Sequence, residues 1–209
     1  MLVVVGGHSR NIGKTSVACG IIRNLPQLNW TAIKITQYGH GVCPHEGSSC
    51  DCADPTHPVA ISKENGDAPS SDSGRFLASG ALHAFWIRTA VGNLGDALPR
   101  LKRVIEAADN VIIESNSLLQ FVRPDLYIMV VDGAVADFKP SSRRFLDRAD
   151  VLAPTSNAPL IWPGVSSALL RNKQRFNAPP PLYENAALID KIRGLALQNS
   201  IAVADITRE

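Results

Sequence analysis

A glycine-containing segment near the N-terminus has the residue types that bind phosphate. Residues 7–15 read Gly-His-Ser-Arg-Asn-Ile-Gly-Lys-Thr. Glycine allows the backbone to approach a ligand closely, and the amide N–H groups of such a loop can then point at phosphate oxygens. Lys14 can reach the β- and γ-phosphates of a nucleotide, and the Thr15 hydroxyl can ligate Mg²⁺. The segment therefore predicts a site for GTP or ATP with Mg²⁺.

The context of this loop is the one that a phosphate site requires. A β-branched run precedes it and a helical pattern begins at Lys14, so that the loop opens a predicted helix whose N-terminus adds partial positive charge. An ordinary strand-to-helix turn that contains Gly-Lys-Thr by chance is the alternative. The predicted binding set is the whole loop with the next residue: Gly7, His8, Ser9, Arg10, Asn11, Ile12, Gly13, Lys14, Thr15 and Ser16.

Two carboxylates are candidates for chemistry at the triphosphate. Glu114 ends an apolar segment near the predicted C-terminal edge of the sheet, where α/β proteins bind ligands. It can hold Mg²⁺ through water or orient an attacking water, and an exposed strand-end carboxylate is the alternative. Asp72 can be a second carboxylate beside Mg²⁺ or simply a helix N-cap. Together with Lys14, Glu114 and Asp72 form the predicted catalytic set.

Two basic residues are candidates for further contacts with anions. Lys34 lies at the end of a predicted strand and can contact phosphate or an anionic client; a lysine at a sheet edge with its ammonium group in solvent is the alternative. Arg75 lies one turn into a predicted helix, facing either phosphate or solvent.

A cluster of soft metal ligands occupies the segment 37–72. Cys43, Cys50 and Cys52 fall within ten residues of one another, with His45 and His57 nearby. Thiolates and imidazoles suit Zn²⁺ or an iron–sulfur cluster, and a metal would add folding free energy to a segment that lacks its own core. The spacing is not that of paired Cys-x-x-Cys motifs, so redox-active or unligated thiols stay open. The fourth cysteine, Cys19, is predicted to be a buried packing residue.

The elements that must position these residues alternate along the chain. Strands are predicted at 2–5, 30–35, 83–88, 110–114, 126–131 and 150–153, and helices at 14–25, 71–81, 94–107, 141–148 and 182–198. This alternation predicts one α/β domain over residues 1–209, a three-layer fold with a mostly parallel sheet flanked by helices. Residues 37–72 are predicted to be a loop insertion, and 154–181 to be mostly loop with a candidate strand at 160–162.

The composition excludes several classes of partner. The 209 residues are 45% hydrophobic and 19% charged, with a formal net charge of only +2, so that no nucleic-acid binding is expected. No apolar run approaches the roughly 20 residues that span a bilayer. The N-terminal apolar run is too short for a signal peptide and has no basic segment before it. These features predict a cytoplasmic protein without a membrane partner, in which thiols stay reduced.

The spacing of the phosphate loop carries a family resemblance. Counted from Gly7, five residues separate its two glycines, whereas the commonest pattern has four. The loop is similar to that of dethiobiotin synthetase and of the cobyrinic acid diamide synthase family, which also have five residues there. The resemblance implies the P-loop NTPase fold.

A second stretch resembles the adapter protein of molybdopterin-guanine dinucleotide biosynthesis, the GTP-binding partner of the guanylyltransferase. That family has an Asp-Ser-x-Arg-x-x-x-Ala-Gly-Ala stretch and, after its second strand, a lysine followed by a His-rich segment. It departs from this chain at Ser79, where it has alanine, and at Ser115, where it has glycine. The matching residues are Lys34, His40, Asp72, Ser73, Arg75, Gly80, Ala81 and Glu114.

The resemblance implies a slow GTPase that acts as an accessory protein in molybdenum cofactor or related metallocentre biosynthesis. It implies a cofactor-biosynthesis enzyme as partner, and related NTPases suggest a homodimer. GTP is favoured by resemblance alone, because a guanine-reading Asn-Lys-x-Asp motif is absent. An ATP-dependent ligase resembling dethiobiotin synthetase is an alternative, although the run 114–117 is not its Glu-Gly-Ala-Gly. An NTP-regulated metal chaperone or redox sensor is another.

Overall fold

A computed structural model describes residues 1–38, 59–67 and 69–206. The strands are β1 (Leu2–Gly7), β2 (Trp30–Tyr38), β3 (Val59–Lys63), β4 (His83–Ala90), β5 (Asn110–Glu114), β6 (Leu126–Val131), β7 (Val151–Pro154) and β8 (Gln174–Arg175). The helices are α1 (Lys14–Asn24), α2 (Asp72–Ala78), α3 (Leu94–Glu106), α4 (Pro140–Phe145), α5 (Ser167–Asn172) and α6 (Ala186–Ile206). No described helix combines the length and apolarity needed to cross a bilayer.

The strands form one eight-stranded sheet in the order β3-β4-β2-β5-β1-β6-β7-β8. All described neighbours are parallel except β3, which runs antiparallel to β4 at one edge. β1 therefore lies inside the sheet between β5 and β6. Glu114, at the carboxyl end of β5, aligns with Val5 of β1 on one side and with Lys34 of β2 on the other. Lys34 does not end its strand as predicted, because β2 continues to Tyr38 beside β4.

Helices cover both faces of this sheet. Side chains alternate between the faces of a strand, and accordingly Val3 and Val5 of β1 join one hydrophobic core while Val4 joins the other. The first core includes α1, α2 and α6, through Ile21, Phe76 and Ile192. The second includes α3, α4 and α5. The predicted α/β fold, with a mostly parallel sheet between two helical layers, is confirmed.

Three predictions about individual segments differ from the structure. The segment 37–72 contains β3, which completes the edge of the sheet by pairing with β4. No strand forms at 160–162, where prolines flank the tripeptide on both sides. The segment 154–181 is mostly loop, as predicted, with the short α5 and the two-residue β8 inside it, and α6 begins at Ala186 and not at 182.

Candidate functional site

The loop of residues 7–15 connects the end of β1 to the start of α1. Gly13 precedes α1 with a φ of 90°, a conformation that favours glycine. No side chain caps α1, so the first amide N–H groups of this helix are left for another acceptor. An anion is the acceptor that a helix N-terminus favours.

Gly7 allows the side chain of Lys14 to cross the base of the loop. A Cβ atom at position 7 would lie 2.7 Å from both Cγ and Cδ of Lys14. The Lys14 ammonium group then donates a hydrogen bond of 2.7 Å to the Ser9 carbonyl on the other side of the loop. Burial lowers the pKa of Lys14, although Glu114 acts in the opposite direction. A phosphate oxygen would be a stronger acceptor for this ammonium group than the carbonyl.

Four charged or polar side chains from four elements, α1, β2, α2 and β5, meet beside the start of α1. The Thr15 hydroxyl donates to Glu114 Oε2 at 2.6 Å, and Lys34 Nζ donates to Glu114 Oε1 at 2.5 Å. Lys34 Nζ also lies 3.0 Å from Asp72 Oδ2. Glu114 is only 3% exposed, so that the alternative of an exposed strand-end carboxylate is wrong. Lys34 lies on an interior strand, which excludes the sheet-edge alternative.

The electrostatics of this cluster show that its charges are matched. Burial by itself would lower the pKa of Lys34, but Glu114 and Asp72 outweigh it and the pKa is raised. Burial would likewise raise the pKa of Asp72, but the Lys34 ammonium group holds it below its ordinary value. The paired state is therefore the ionised one for both residues.

The oxygen donors of this cluster fit Mg²⁺. A hydroxyl (Thr15) and two carboxylates (Glu114 and Asp72) are the hard ligands that this ion prefers, with water or phosphate oxygens completing its shell. The Lys34 ammonium group bridges the two carboxylates, so positive charge is already favoured between them. In the described ranges, no group of three His, Cys, Asp or Glu side chains is arranged to hold a metal ion by itself.

The stretch 71–81 lies against the phosphate loop. Ser71 caps α2 by accepting from the Gly74 N–H, so Asp72 is not the N-cap and the capping alternative is wrong. Arg75 Nη2 donates to Ser16 Oγ on α1 at 2.8 Å. Arg75 thus contacts the predicted binding set through Ser16 and also lies 3.7 Å from Asp72.

On the other side of the loop, His8 is tied to the segment 132–139. His8 is fully buried, its backbone N–H donates to the Val130 carbonyl, and its Nε2 lies 3.2 Å from the Val135 carbonyl. Its ring packs on Phe138 and Trp162 at centroid distances of 5.2 and 4.8 Å. Burial is the main cause of its lowered pKa. The backbone N–H of His8 is therefore hydrogen-bonded within the protein, and its ring is packed in an aromatic cluster.

The remaining loop residues differ in exposure. Arg10 and Asn11 are exposed, and Asn11 has a φ of 54°. Ile12 is buried in the first hydrophobic core, and Ser9 donates to Asp137 Oδ2 at 2.6 Å. Cys19 is buried in the same core, as predicted. The predicted metal ligands Cys43, His45, Cys50, Cys52 and His57, and the family match His40, lie outside the described residues.

Sequence reasoning missed two residues that fasten the end of β1. Asn116 accepts from the Gly7 N–H and donates to the Gly7 carbonyl, both at 2.9 Å. Ser142 Oγ donates to the same carbonyl at 2.7 Å. In the run Glu114-Ser115-Asn116, an amide two residues after a strand-end carboxylate is the sequence signal for Asn116. Nothing in the sequence indicated Ser142.

Tyr183 was also missed, and it contacts the other end of the loop. A Cβ atom at Gly13 would lie 2.3 Å from a ring carbon of Tyr183. Tyr183 itself has a φ of 55°, and its N–H donates to the Pro179 carbonyl. A tyrosine with positive φ is unusual, and in this conformation its ring lies against Gly13.

No known protein family profile matches the chain, and no curated protein matches it in sequence. Among solved structures, the chain is similar to LpxK from Aquifex aeolicus, whose "apo" form was crystallised in complex with ATP. The TM-score is 0.49 and the sequence identity 14%, with 84% of this chain and 53% of the LpxK chain covered. This chain thus spans about half the length of that one. The functional proposal therefore depends on the residues described above.

Proposed function

We propose that this chain binds a nucleoside triphosphate with Mg²⁺ at the loop of residues 7–15. The observation that carries the proposal is a hydrogen bond of 2.6 Å that the hydroxyl of Thr15, the residue after Lys14, donates to the buried Glu114 carboxylate. It brings together a hydroxyl that can ligate Mg²⁺, a carboxylate that can orient the ion or a water, and an ammonium group for the phosphates. All three lie at the N-terminus of α1, where the helix favours negative charge.

The same residues support slow hydrolysis of the triphosphate. Lys14 would neutralise charge on the β- and γ-phosphates, and Glu114 and Asp72 would hold Mg²⁺ directly or through water. Glu114 already accepts from Thr15 and Lys34, so its orientation is fixed before the ligand arrives. Such preorganisation contributes to catalysis because no reorientation is needed during the reaction.

The resemblance to the molybdenum cofactor adapter family extends the proposal to GTP and to an accessory role. Its support is that the Asp-Ser-x-Arg residues contact the phosphate site: Asp72 pairs with Lys34, and Arg75 binds Ser16. In this proposal the nucleotide state governs contact with a cofactor-biosynthesis enzyme. A homodimer and a Zn²⁺ or iron–sulfur site at Cys43, Cys50 and Cys52 with His45 or His57 belong to the same proposal. A cytoplasmic location does as well.

The central test is nucleotide binding by Lys14→Ala. We expect wild type to bind a Mg²⁺–triphosphate and Lys14→Ala to bind it about 100-fold more weakly, since two charge-assisted hydrogen bonds are lost. Titration calorimetry with GTP and with ATP, with Mg²⁺ or with EDTA, measures this. Lys102→Ala is the matched control, because Lys102 is an exposed lysine of α3 that pairs with Glu106 on the same helix. Equal affinity of Lys14→Ala and wild type would refute the phosphate site.

Turnover of the same samples separates the functional classes. Slow GTP hydrolysis without an added substrate supports the accessory role. Rapid ATP turnover that requires a carboxylate substrate would instead indicate a ligase, and metal analysis of the purified protein tests the Cys/His site.

A further inference from the structure

Lys139 carries a positive charge near the phosphate loop that no described residue pairs. It is half-buried and immediately precedes α4. Its side chain makes no hydrogen bond or ion pair with the part of the chain that the structure describes. A half-buried ammonium group without a counter-ion is unfavourable, so its retention at this place needs a reason.

The backbone around Lys139 is fixed to the first residues of the phosphate loop. The Lys139 N–H donates to the His8 carbonyl at 2.9 Å, and the Phe138 ring packs against that of His8. Two residues earlier, Asp137 accepts from the Ser9 hydroxyl at 2.6 Å. The carbonyl of the same Ser9 accepts from Lys14. A direct backbone hydrogen bond therefore connects residue 139 to the loop of residues 7–15, to which Lys14 also belongs.

The charges that reach Lys139 are mostly of the same sign. The pKa of Lys139 is lowered to about 8, chiefly by burial and also by the charges of Lys14, Arg10 and Lys34, while Asp137 acts against them. Lys34 differs, because Glu114 and Asp72 compensate its charge. Lys14, Arg10 and Lys139 thus form a cationic group that includes the predicted phosphate-binding lysine.

We propose that Lys139, with Arg10, forms a second oxyanion subsite beside the phosphate loop. The subsite takes a phosphate-like group, either the γ-phosphoryl group of the bound triphosphate or a separate oxyanion that binds next to the nucleotide. This inference rests on the proposed nucleotide site, since Lys14 marks where the first phosphates lie. A dianionic phosphoryl group would supply the counter-charge that the described residues do not provide, and it would accept from both cationic side chains.

The test compares Lys139→Met with wild type, Lys139→Arg and Lys102→Met. Lys102→Met removes the same charge from an exposed site on α3. For each protein, calorimetry measures the affinity for a Mg²⁺–nucleoside diphosphate, for the corresponding nonhydrolysable triphosphate, and for inorganic phosphate added to the diphosphate-loaded protein. Thermal unfolding of the ligand-free proteins shows whether they are folded, and Arg10→Met, at an exposed position, provides a second variant that should not disturb folding.

If the γ-phosphoryl group occupies the subsite, Lys139→Met weakens triphosphate binding about tenfold or more and leaves diphosphate binding unchanged. If a separate oxyanion occupies it, triphosphate binding is unchanged and phosphate binding to the diphosphate complex is lost. In either case Lys139→Arg restores binding and Arg10→Met gives a smaller loss of the same affinity.

Two outcomes would overturn the subsite. One is that all three affinities of Lys139→Met lie within twofold of those of Lys102→Met. The other is that diphosphate and triphosphate binding fall by the same factor, since Lys139 would then act only on the shape of the loop. A wild type that binds neither nucleotide is a different result, which refutes the proposed function itself.

Discussion

The phosphate loop has two flanks that are stabilised in different ways. The acidic flank consists of Lys34, Asp72, Arg75 and Glu114, in which every charged side chain has a partner of opposite charge or a hydrogen bond. The aromatic flank is the segment 132–139, which is held to the loop chiefly by the His8, Phe138 and Trp162 rings and by backbone hydrogen bonds. It leaves Lys139 without a partner among the described residues.

This difference indicates a division of roles. A buried network of matched charges fixes the orientation of its members, which suits the role proposed for them as holders of Mg²⁺. Apolar packing fixes the backbone but cannot neutralise a cation, which is why we propose that a ligand supplies the counter-charge of Lys139. Breaking one member of each flank therefore has different consequences for stability and for binding.

The largest effect on stability is expected at the acidic flank, for Glu114→Gln. Removing this charge leaves Lys34 buried with only the half-exposed Asp72, and breaking a buried ion pair typically costs about 3 kcal/mol. Urea unfolding of Glu114→Gln, of Lys34→Met and of the double variant measures the coupling. We expect the double variant to be more stable than Glu114→Gln, because it no longer contains the unpaired ammonium group. A loss below 1 kcal/mol for Glu114→Gln would mean that this network does not stabilise the flank.

A smaller effect on stability is expected for Gly13→Ala, at the residue that immediately precedes α1. Gly13 and Gly80 both have positive φ, 90° and 101°, but a Cβ at Gly13 meets the Tyr183 ring and a Cβ at Gly80 meets nothing within 4 Å. The backbone strain of about 1 kcal/mol is thus common to both alanine variants, and the contact with Tyr183 is specific to Gly13. We expect Gly13→Ala to lose at least about 1 kcal/mol more than Gly80→Ala in urea unfolding. Equal losses would show that the Tyr183 ring moves aside without cost.

The smallest effect on stability is expected from the titration of His8, which packs on the aromatic flank. The pKa of His8 is lowered in the folded state, mainly by burial, so the unfolded chain binds more protons between the folded value and about 6.5. The stability contributed by neutral His8 is therefore present above pH 6.5 and lost as the pH falls below it, by at most about 1.4 kcal/mol per pH unit. Asp132 and Lys14 are the charged groups that act on His8.

His8→Phe tests this pH dependence because it keeps an aromatic ring in the cluster and removes the titrating group. Free energies of unfolding measured from pH 7.5 to 5 should decline less steeply for His8→Phe than for wild type. Identical slopes would show that His8 does not contribute to the acid sensitivity.

The sequence predicted the elements and the phosphate loop where the signals are local. A strand, a glycine-containing turn and a helix that begins at Lys14 follow one another within residues 2–25, so their order determines the shape of the loop. Glu114 was identified for a similar reason, because the end of an apolar strand is recognisable without knowing its neighbours. The edge strand β3 was not predicted, since its pairing with β4 and not its own pattern makes it a strand.

What the sequence by itself determined is the alternation of strands and helices and the strand–loop–helix order around residues 7–15, since both depend on neighbours along the chain. Only the tertiary structure decided which side chains meet that loop. Lys34 reaches Glu114 across 80 residues, and His8 reaches Val135 across 127. Such contacts follow from strand order and register, which bring distant segments to the same edge of the sheet, and no local pattern encodes them.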